Sequence, residues 1–167
     1  MPDPNEDIGI IILDLDDPPP GECGCCSNGG GGGGGTIKID FSDEGHWIIF
    51  QPVATTGGSI TGSLGTMTCS WTWRICSGRL PFTAPGLPLD ITGATSIEFD
   101  IVMNCDWAQV NFVGVGQITM LASGHYSIPV PAFPPHIISE IRAGGHTMWS
   151  GDVPGSFTIT NCVAVFP

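Results

Sequence analysis

The sequence predicts an all-β fold, an antiparallel β-sandwich of the jelly-roll type with an extended N-terminal arm. Three observations predict it. Apolar and polar residues alternate with a period of two in many short segments, glycine and proline separate those segments, and glycine or proline interrupts every window that could form a helix of three turns. Many short strands at regular spacing are typical of sandwiches and jelly rolls.

The predicted strands follow one another at short intervals. They are expected at residues 36–41, 47–50, 59–64, 66–76, 96–103, 109–115, 116–121, 125–130, 137–142 and 156–166. In residues 66–76, the face expected to be buried carries Met67, Cys69, Trp71, Trp73 and Ile75. If this strand is straight, Cys69 and Cys76 are about 23 Å apart at roughly 3.3 Å per residue and cannot form a disulfide.

Seven consecutive glycines, residues 29–35, divide the chain. Residues without Cβ atoms lose the most backbone entropy on ordering and have no side chain to pack, so this run is expected to be a flexible tether. The chain is therefore predicted to have three parts: an acidic N-terminal arm at residues 1–28, a poly-glycine linker at residues 29–35 and a β-sandwich domain at residues 36–167.

The arm contains an apolar segment that is predicted to form a single extended strand. Prolines at positions 18–20 end it, and its apolar residues are Ile8, Ile10, Ile11, Ile12, Leu13 and Leu15. A lone apolar strand is unstable in water, so we expect it to dock on another protein as an added strand or on the edge of its own sandwich. The expected partner is a capsid protein or a like subunit, and a homo-oligomer is predicted.

Three cysteines stand directly before the glycine run, in the sequence Cys-Gly-Cys-Cys. Cys23, Cys25 and Cys26 lack a fourth ligand at the regular spacing of a closed zinc site, so neither a metal nor another cofactor is predicted. In an oxidising compartment they are candidates for disulfides with other cysteines or between subunits; otherwise they are reduced thiols.

The composition is strongly acidic. Sixteen Asp and Glu residues oppose four Lys and Arg residues, which gives a formal net charge of −12 at pH 7. Such a chain repels phosphate backbones, which argues against nucleic acid as a partner. The acidic N-terminus is unlike a secretory signal, and the apolar run at residues 10–13 is too short to span a membrane.

The sequence contains no catalytic motif, and the chain is predicted not to be an enzyme. Glu98 and Asp100 lie about 7 Å apart on one face of a predicted strand, within the range of glycosidase carboxylates, but the solvated outer face of a sheet accounts for them. The four histidines have neither HxH nor HExxH spacing.

Four segments in the second half of the body form a pattern known from other domains. They are Ile-Glu-Phe-Asp-Ile at residues 97–101, Trp-Ala-Gln-Val at residues 107–110, Gly-His-Tyr-Ser-Ile-Pro-Val at residues 124–130 and Gly-Ser-Phe-Thr-Ile-Thr-Asn-Cys-Val at residues 155–163. This pattern resembles the closing half of galactose-binding-like jelly rolls, which include several carbohydrate-binding module families. The resemblance implies a β-sandwich and makes glycans candidate ligands. Thr160 stands where those families often have an aspartate, so a calcium or structural role of that acid does not carry over.

Two tryptophans are predicted to lie among polar side chains, as in sugar sites where an aromatic ring stacks on the sugar and polar groups bind its hydroxyls. One is in a polar loop at residues 104–109 and the other in a loop at residues 144–152. The candidate glycan site consists of Trp107, Trp149, Asp106, Gln109 and Tyr126. Alternatively, the two indole rings cap the ends of the core and the tyrosine anchors a turn.

The order of arm, linker and sandwich predicts a non-enzymatic structural or display protein. This organisation is similar to that of phage decoration proteins and fibres. The first hypothesis is therefore a virion component that is anchored by its arm and presents a sandwich able to bind glycans. The alternatives are a carbohydrate-binding module of an extracellular protein and an extracellular filament subunit assembled by strand donation. The predicted location is a virion or the extracellular space.

Overall fold

Short strands make up most of the described part of the protein. The computed structural model describes residues 34–42, 45–50, 57–147 and 153–167. In chain order the strands are β1 Thr36–Lys38, β2 Ile48–Ile49, β3 Ser59–Ser63, β4 Thr66–Trp71, β5 Ile75–Leu80, β6 Leu89–Asp90, β7 Ser96–Asn104, β8 Trp107–Val113, β9 Gly116–Met120, β10 Gly124–Pro129, β11 Ile137–Ile138, β12 Glu140–His146 and β13 Gly155–Val165. Within these ranges there is no helix that is long and apolar enough to cross a membrane.

The strands form two large sheets, which we call the first sheet and the second sheet. The first sheet has the order β10-β7-β13-β4-β3, with β1 also paired to β13, and the second has the order β2-β5-β12-β8-β9. β6 and β11 form a separate two-stranded ribbon. All pairings within the two sheets are antiparallel, and apolar side chains of both sheets share one core. The predicted antiparallel β-sandwich is thus confirmed.

The core follows from the alternation of side chains along each strand. In β8, Ala108, Val110 and Phe112 are fully buried, whereas the residues between them are only partly buried. β4, β7 and β13 alternate in the same way over most of their length. Because successive side chains of a strand point to opposite faces, one face of each sheet lies in the core and the other faces solvent.

Trp71 fits between the two sheets where glycines leave room for its indole ring. A Cβ atom at Gly145 on β12 would lie 2.6 Å from the ring, and one at Gly155 on β13 would lie 2.5 Å from it. The indole nitrogen donates a hydrogen bond of 3.0 Å to Thr147 Oγ1. A side chain at either glycine would collide with the ring in a close-packed interior, so both positions are fitted to this one large residue.

The prediction of one straight strand at residues 66–76 is wrong. β4 belongs to the first sheet and β5 to the second, and Arg74 between them has a φ of 52°. The chain crosses from one sheet to the other at this bend, which reverses the alternation of buried and exposed positions. As a result Trp73 is 49% exposed instead of buried, and Cys69 and Cys76 both reach the core.

The predicted arm and one predicted site residue lie outside the described residues. They are the docking segment with Ile8, Ile10, Ile11, Ile12, Leu13 and Leu15, the cysteines Cys23, Cys25 and Cys26, and Trp149. What the sequence predicts for them stays a prediction.

The linker joins the sandwich at the first sheet. The Phe166 N–H donates a hydrogen bond of 2.8 Å to the Gly35 carbonyl oxygen, and the following strand, β1, pairs with the end of β13. The first strand of the domain therefore lies beside its last strand.

Candidate functional site

An open groove lies on the outer face of the second sheet. Its volume is about 380 Å³, and the residues that shape it include Phe50, Trp107, Gln109, Asn111, Gln117 and Arg142. These residues belong to β8, β9 and β12, apart from the phenylalanine, which directly follows β2. The groove thus extends across the sheet from one edge strand towards the other.

Strand register explains why these side chains meet. Directly paired residues of antiparallel strands point to the same face of a sheet. Read from β5 across β12 and β8 to β9, the rows on the outer face are Ile75, His146 and Trp107; Ser77, Gly144, Gln109 and Thr119; and Arg79, Arg142, Asn111 and Gln117. Polar residues that are far apart in the sequence therefore form one continuous surface.

The depression in this surface is centred on a glycine. Gly144 lies between Ser77 and Gln109 in the middle row, and a Cβ atom added to it would lie 2.9 Å from the Cβ of Ser77. Glycine inside a strand often marks a place where a ligand or another backbone approaches closely. Here the missing side chain lowers the floor of the groove between two polar neighbours.

Two aromatic residues line the groove, one on β8 and one directly after β2. The Trp107 ring stacks on His146 with 5.9 Å between centroids and 13° between planes, which fixes the orientation of the indole. Phe50 is 54% exposed, and its N–H donates a hydrogen bond of 2.9 Å to the Ser77 carbonyl oxygen. Three strand spacings of about 4.8 Å separate the two strand positions, or about 14 Å.

The side-chain amides on β8 and β9, beside the indole, keep unused hydrogen-bonding atoms. Gln109 Nε2 donates to Thr119 Oγ1 at 3.2 Å, and Asn111 Nδ2 donates to Gln117 Oε1 at 3.4 Å. A primary amide has two donor hydrogens and an acceptor oxygen, so one contact leaves the remaining groups available. The side-chain carbonyl oxygens of Gln109 and Asn111 and the side-chain nitrogen of Gln117 can therefore bind hydroxyl groups of a ligand.

Two arginines share one carboxylate at the side of the groove. Glu140 accepts from Arg79 Nη1 at 3.2 Å and from Arg142 Nε at 2.5 Å. The carboxylate side chain is only 14% exposed, whereas that of Arg142 is 53% exposed. One negative charge against two positive charges leaves the row locally cationic, although the chain as a whole has a net charge of −12.

The structure brings together part of the predicted glycan site. Trp107 and Gln109 line the groove. Asp106 precedes them in an exposed turn, and its N–H donates a hydrogen bond of 3.0 Å to the His146 carbonyl oxygen. Tyr126 is not brought to this face, because it lies on β10 of the first sheet. Its ring stacks on Phe99 at 6.1 Å, and its hydroxyl donates to the Ala122 carbonyl oxygen at 2.9 Å.

The predicted loops around the site are partly strands. Trp107 is the first residue of β8, and residues 144–146 are the end of β12, so the prediction of loops there is wrong at those positions. Asn111 and Arg142 were not predicted as site residues from the sequence. A signal for the asparagine was present, because it continues the same alternation as the tryptophan and Gln109, whereas the arginine joins the site only through strand register.

A second polar cluster lies on the outer face of the first sheet. Asp100 accepts a hydrogen bond of 2.9 Å from Asn161 Nδ2 and lies 3.0 Å from His125 Nδ1. The asparagine amide first, and then the histidine, hold the pKa of Asp100 below its usual value. No group of histidine, cysteine and acidic side chains within the described ranges could hold a metal ion.

Comparison with known proteins finds a likeness in structure but none in sequence. The sequence matches no protein-family model, and no curated protein matches it. Among solved structures, the chain is similar to CBM86, a low-affinity xylan-binding module from the gut symbiont Roseburia intestinalis, with 9% sequence identity and a TM-score of 0.40. The match covers 78% of this chain and 96% of that one.

Proposed function

We propose that the sandwich is a non-enzymatic carbohydrate-binding domain, and that the groove on the second sheet holds a short stretch of a polysaccharide. The observation that carries this proposal is the lining of the groove, which combines two aromatic rings on separate strands with polar side chains and a glycine that leaves its floor open. Sugars present apolar C–H faces and a rim of hydroxyl groups, so they bind to aromatic rings flanked by hydrogen-bonding side chains.

The dimensions of the groove favour part of a polymer over a single sugar. The positions of Trp107 and Phe50 are separated by about 14 Å across the strands, which is longer than one sugar ring. The groove is open to solvent. Open sites bury less of the ligand than enclosed pockets, and a modest affinity is expected.

The groove chemistry supports binding without turnover. Hydrolysis of a glycosidic bond requires two carboxyl groups on opposite sides of that bond. Among the described residues that line the groove there is no carboxylate, and the nearby Glu140 is already bound to Arg79 and Arg142. The proposed role of the site is therefore to hold a glycan.

The place where the linker joins the domain supports a display arrangement. The linker leads into β1, which pairs with β13 in the first sheet, whereas the groove lies on the outer face of the second sheet. A ligand in the groove would thus lie on the opposite sheet from β1, the strand that follows the glycine run. We propose that the arm attaches the protein to a larger assembly, on a virion or outside the cell, and that the domain presents its groove outwards.

Binding of the full chain to named polysaccharides tests the glycan proposal. The probes are xylan, a mixed-linkage glucan, a mannan and polygalacturonate, each measured by affinity electrophoresis and titration calorimetry. We expect binding to at least one of them and a loss of tenfold or more in Trp107→Ala, since stacking on the indole is removed.

Matched variants make this test specific. Phe133→Ala removes an aromatic residue that is 86% exposed and does not line the groove, and it should bind as the parent does. Trp149→Ala tests the second predicted tryptophan separately. Equal binding by the parent and Trp107→Ala, or binding to none of the four probes, would overturn the proposal.

A further inference from the structure

Two buried cysteines meet where the chain crosses between the sheets. Cys69 on β4 and Cys76 on β5 are both fully buried, and the two strands belong to opposite sheets. Both thiols are free in the structure, and a hydrogen bond between them raises the pKa of Cys69 and lowers that of Cys76. Contact between two sulfur atoms across a chain crossing is the arrangement from which a disulfide can form.

The backbone around the pair places both residues at one point of the core. Cys76 Sγ lies 3.9 Å from the carbonyl oxygen of Ser59. The next residue of that strand, Ile60, is the direct partner of Cys69 in the β3–β4 ladder. The second thiol therefore reaches over the strand that pairs with the first, which agrees with the hydrogen bond between them.

The other described cysteines are placed differently. Cys105 lies in the turn between β7 and β8 and acts on Cys69 only electrostatically, without the hydrogen bond that Cys76 makes. Cys162 is buried in β13, and burial alone raises the pKa of its thiol. Among the four described cysteines, the pair at the crossing is thus the one arranged for a bond.

We propose that Cys69 and Cys76 form a disulfide that ties the two sheets together at the β4–β5 crossing when the protein folds in an oxidising environment. The oxidant is a disulfide such as oxidised glutathione. One thiolate attacks it to give a mixed disulfide and release one thiol. The second cysteine then displaces the other glutathione, so that the two cysteines lose two electrons and two protons and the oxidant becomes two thiols.

Because both cysteines are buried, the disulfide must form during folding and not after it. Neither sulfur is reachable in the closed sandwich, because both residues are fully buried. Exchange needs access for the attacking reagent, so the bond forms while the sheets are still assembling and is then shielded from reductants. Once formed, it also fixes the start of β5, which carries Ser77 of the groove's middle row.

The positions of the basic residues allow a direct test by tryptic mapping. Trypsin cleaves after Lys38, Arg74, Arg79 and Arg142, which puts each of the four described cysteines in a different fragment. The fragment of residues 75–79, Ile-Cys-Ser-Gly-Arg, is released alone unless a disulfide links it to another fragment, and the mass of the linked product identifies that fragment.

The full chain is refolded in a glutathione redox buffer, its remaining thiols are blocked with N-ethylmaleimide after unfolding, and the digest is analysed by mass spectrometry. We expect residues 75–79 to remain joined to residues 39–74, with the mass lower by two hydrogens, and to separate on reduction. Separate, blocked fragments after oxidation, or a link from residues 39–74 to residues 80–142, would overturn the proposal.

Two variants and a melting curve complete the test. Cys162→Ser should leave the link intact, and Cys76→Ser should abolish it. Reductant added during refolding should lower the melting temperature of the parent by about 5–10 °C through loss of the cross-link. The same treatment should produce none of this shift in Cys69→Ser/Cys76→Ser, and an equal shift there would count against the bond.

Discussion

The outer faces of the two sheets are both polar, yet they differ in what they leave available to a ligand. On the first sheet the polar groups bind one another: the hydroxyls of Thr68 and Thr158 are 3.1 Å apart, and Ser96 Oγ donates to Glu98 at 3.0 Å. On the second sheet the side-chain amides keep spare donors and acceptors next to an exposed aromatic ring and a glycine depression.

This difference shows that alternation of polar residues alone does not identify a binding face. Both sheets alternate with the same period, because each has one face in the core. A ligand additionally needs hydrogen-bonding atoms without a partner and a surface that accommodates its shape. The second sheet meets both conditions, and the following changes test whether the contrast between the faces is real.

Filling the depression should have the largest effect on this contrast. In Gly144→Val the new side chain occupies the floor of the groove, so we expect polysaccharide binding to fall more than tenfold in affinity electrophoresis. The added Cβ would lie 2.9 Å from the Cβ of Ser77. The double variant Gly144→Val/Ser77→Gly removes this contact and therefore tests the filled groove with less strain. Thr158→Val, which places a valine on the outer face of the first sheet, should bind like the parent, and equal losses in both would remove the distinction between the faces.

Removing one amide from the groove should have a smaller effect. Gln109→Ala deletes the groups expected to bind a sugar hydroxyl, and a hydrogen bond of about 1 kcal/mol corresponds to a loss of about fivefold in affinity. Titration calorimetry measures this loss. Thr68→Ala on the other sheet is the control. Unchanged affinity in the glutamine variant would show that the amides play no part in binding.

The smallest effect is expected on the first sheet and concerns stability. The pKa of Asp100 is held low in the folded state by Asn161 and His125, so the ionised carboxylate favours folding. This contribution is present above the unfolded-state pKa and is lost as the pH falls through the folded-state pKa. Urea midpoints measured between pH 2 and pH 7 should depend less on pH in Asp100→Asn. The effect is small because the carboxyl is exposed, and identical pH profiles would contradict it.

The sequence predicted the class of fold because alternation is a local property. Residues 96–103 and 156–166 show it clearly, and both are strands close to the predicted bounds. The crossing at Arg74 could not be predicted, because a positive φ is uncommon for arginine and the residues around it continue the same alternation. A bend that reverses the alternation has no signal in the pattern itself.

The candidate site could be predicted only in part for a related reason. Trp107 and Gln109 belong to one strand, and their spacing alone places them on one face. Gln117 and Arg142 come from two other strands, and only the register of β8 with its neighbours brings them to that face. Tyr126 has a suitable side chain, but its strand pairs with β7 in the opposite sheet.

The pairing of β1 with β13 has a consequence for how this domain can be moved between proteins. Gly35 and Phe166 are joined by a backbone hydrogen bond, so the two ends of the sandwich lie side by side. Domains with adjacent ends tolerate transplantation into surface loops of unrelated hosts, because the host chain is not forced apart. The sandwich could therefore be inserted as a cassette into a surface loop of a host protein, with both connections on the same edge of its first sheet.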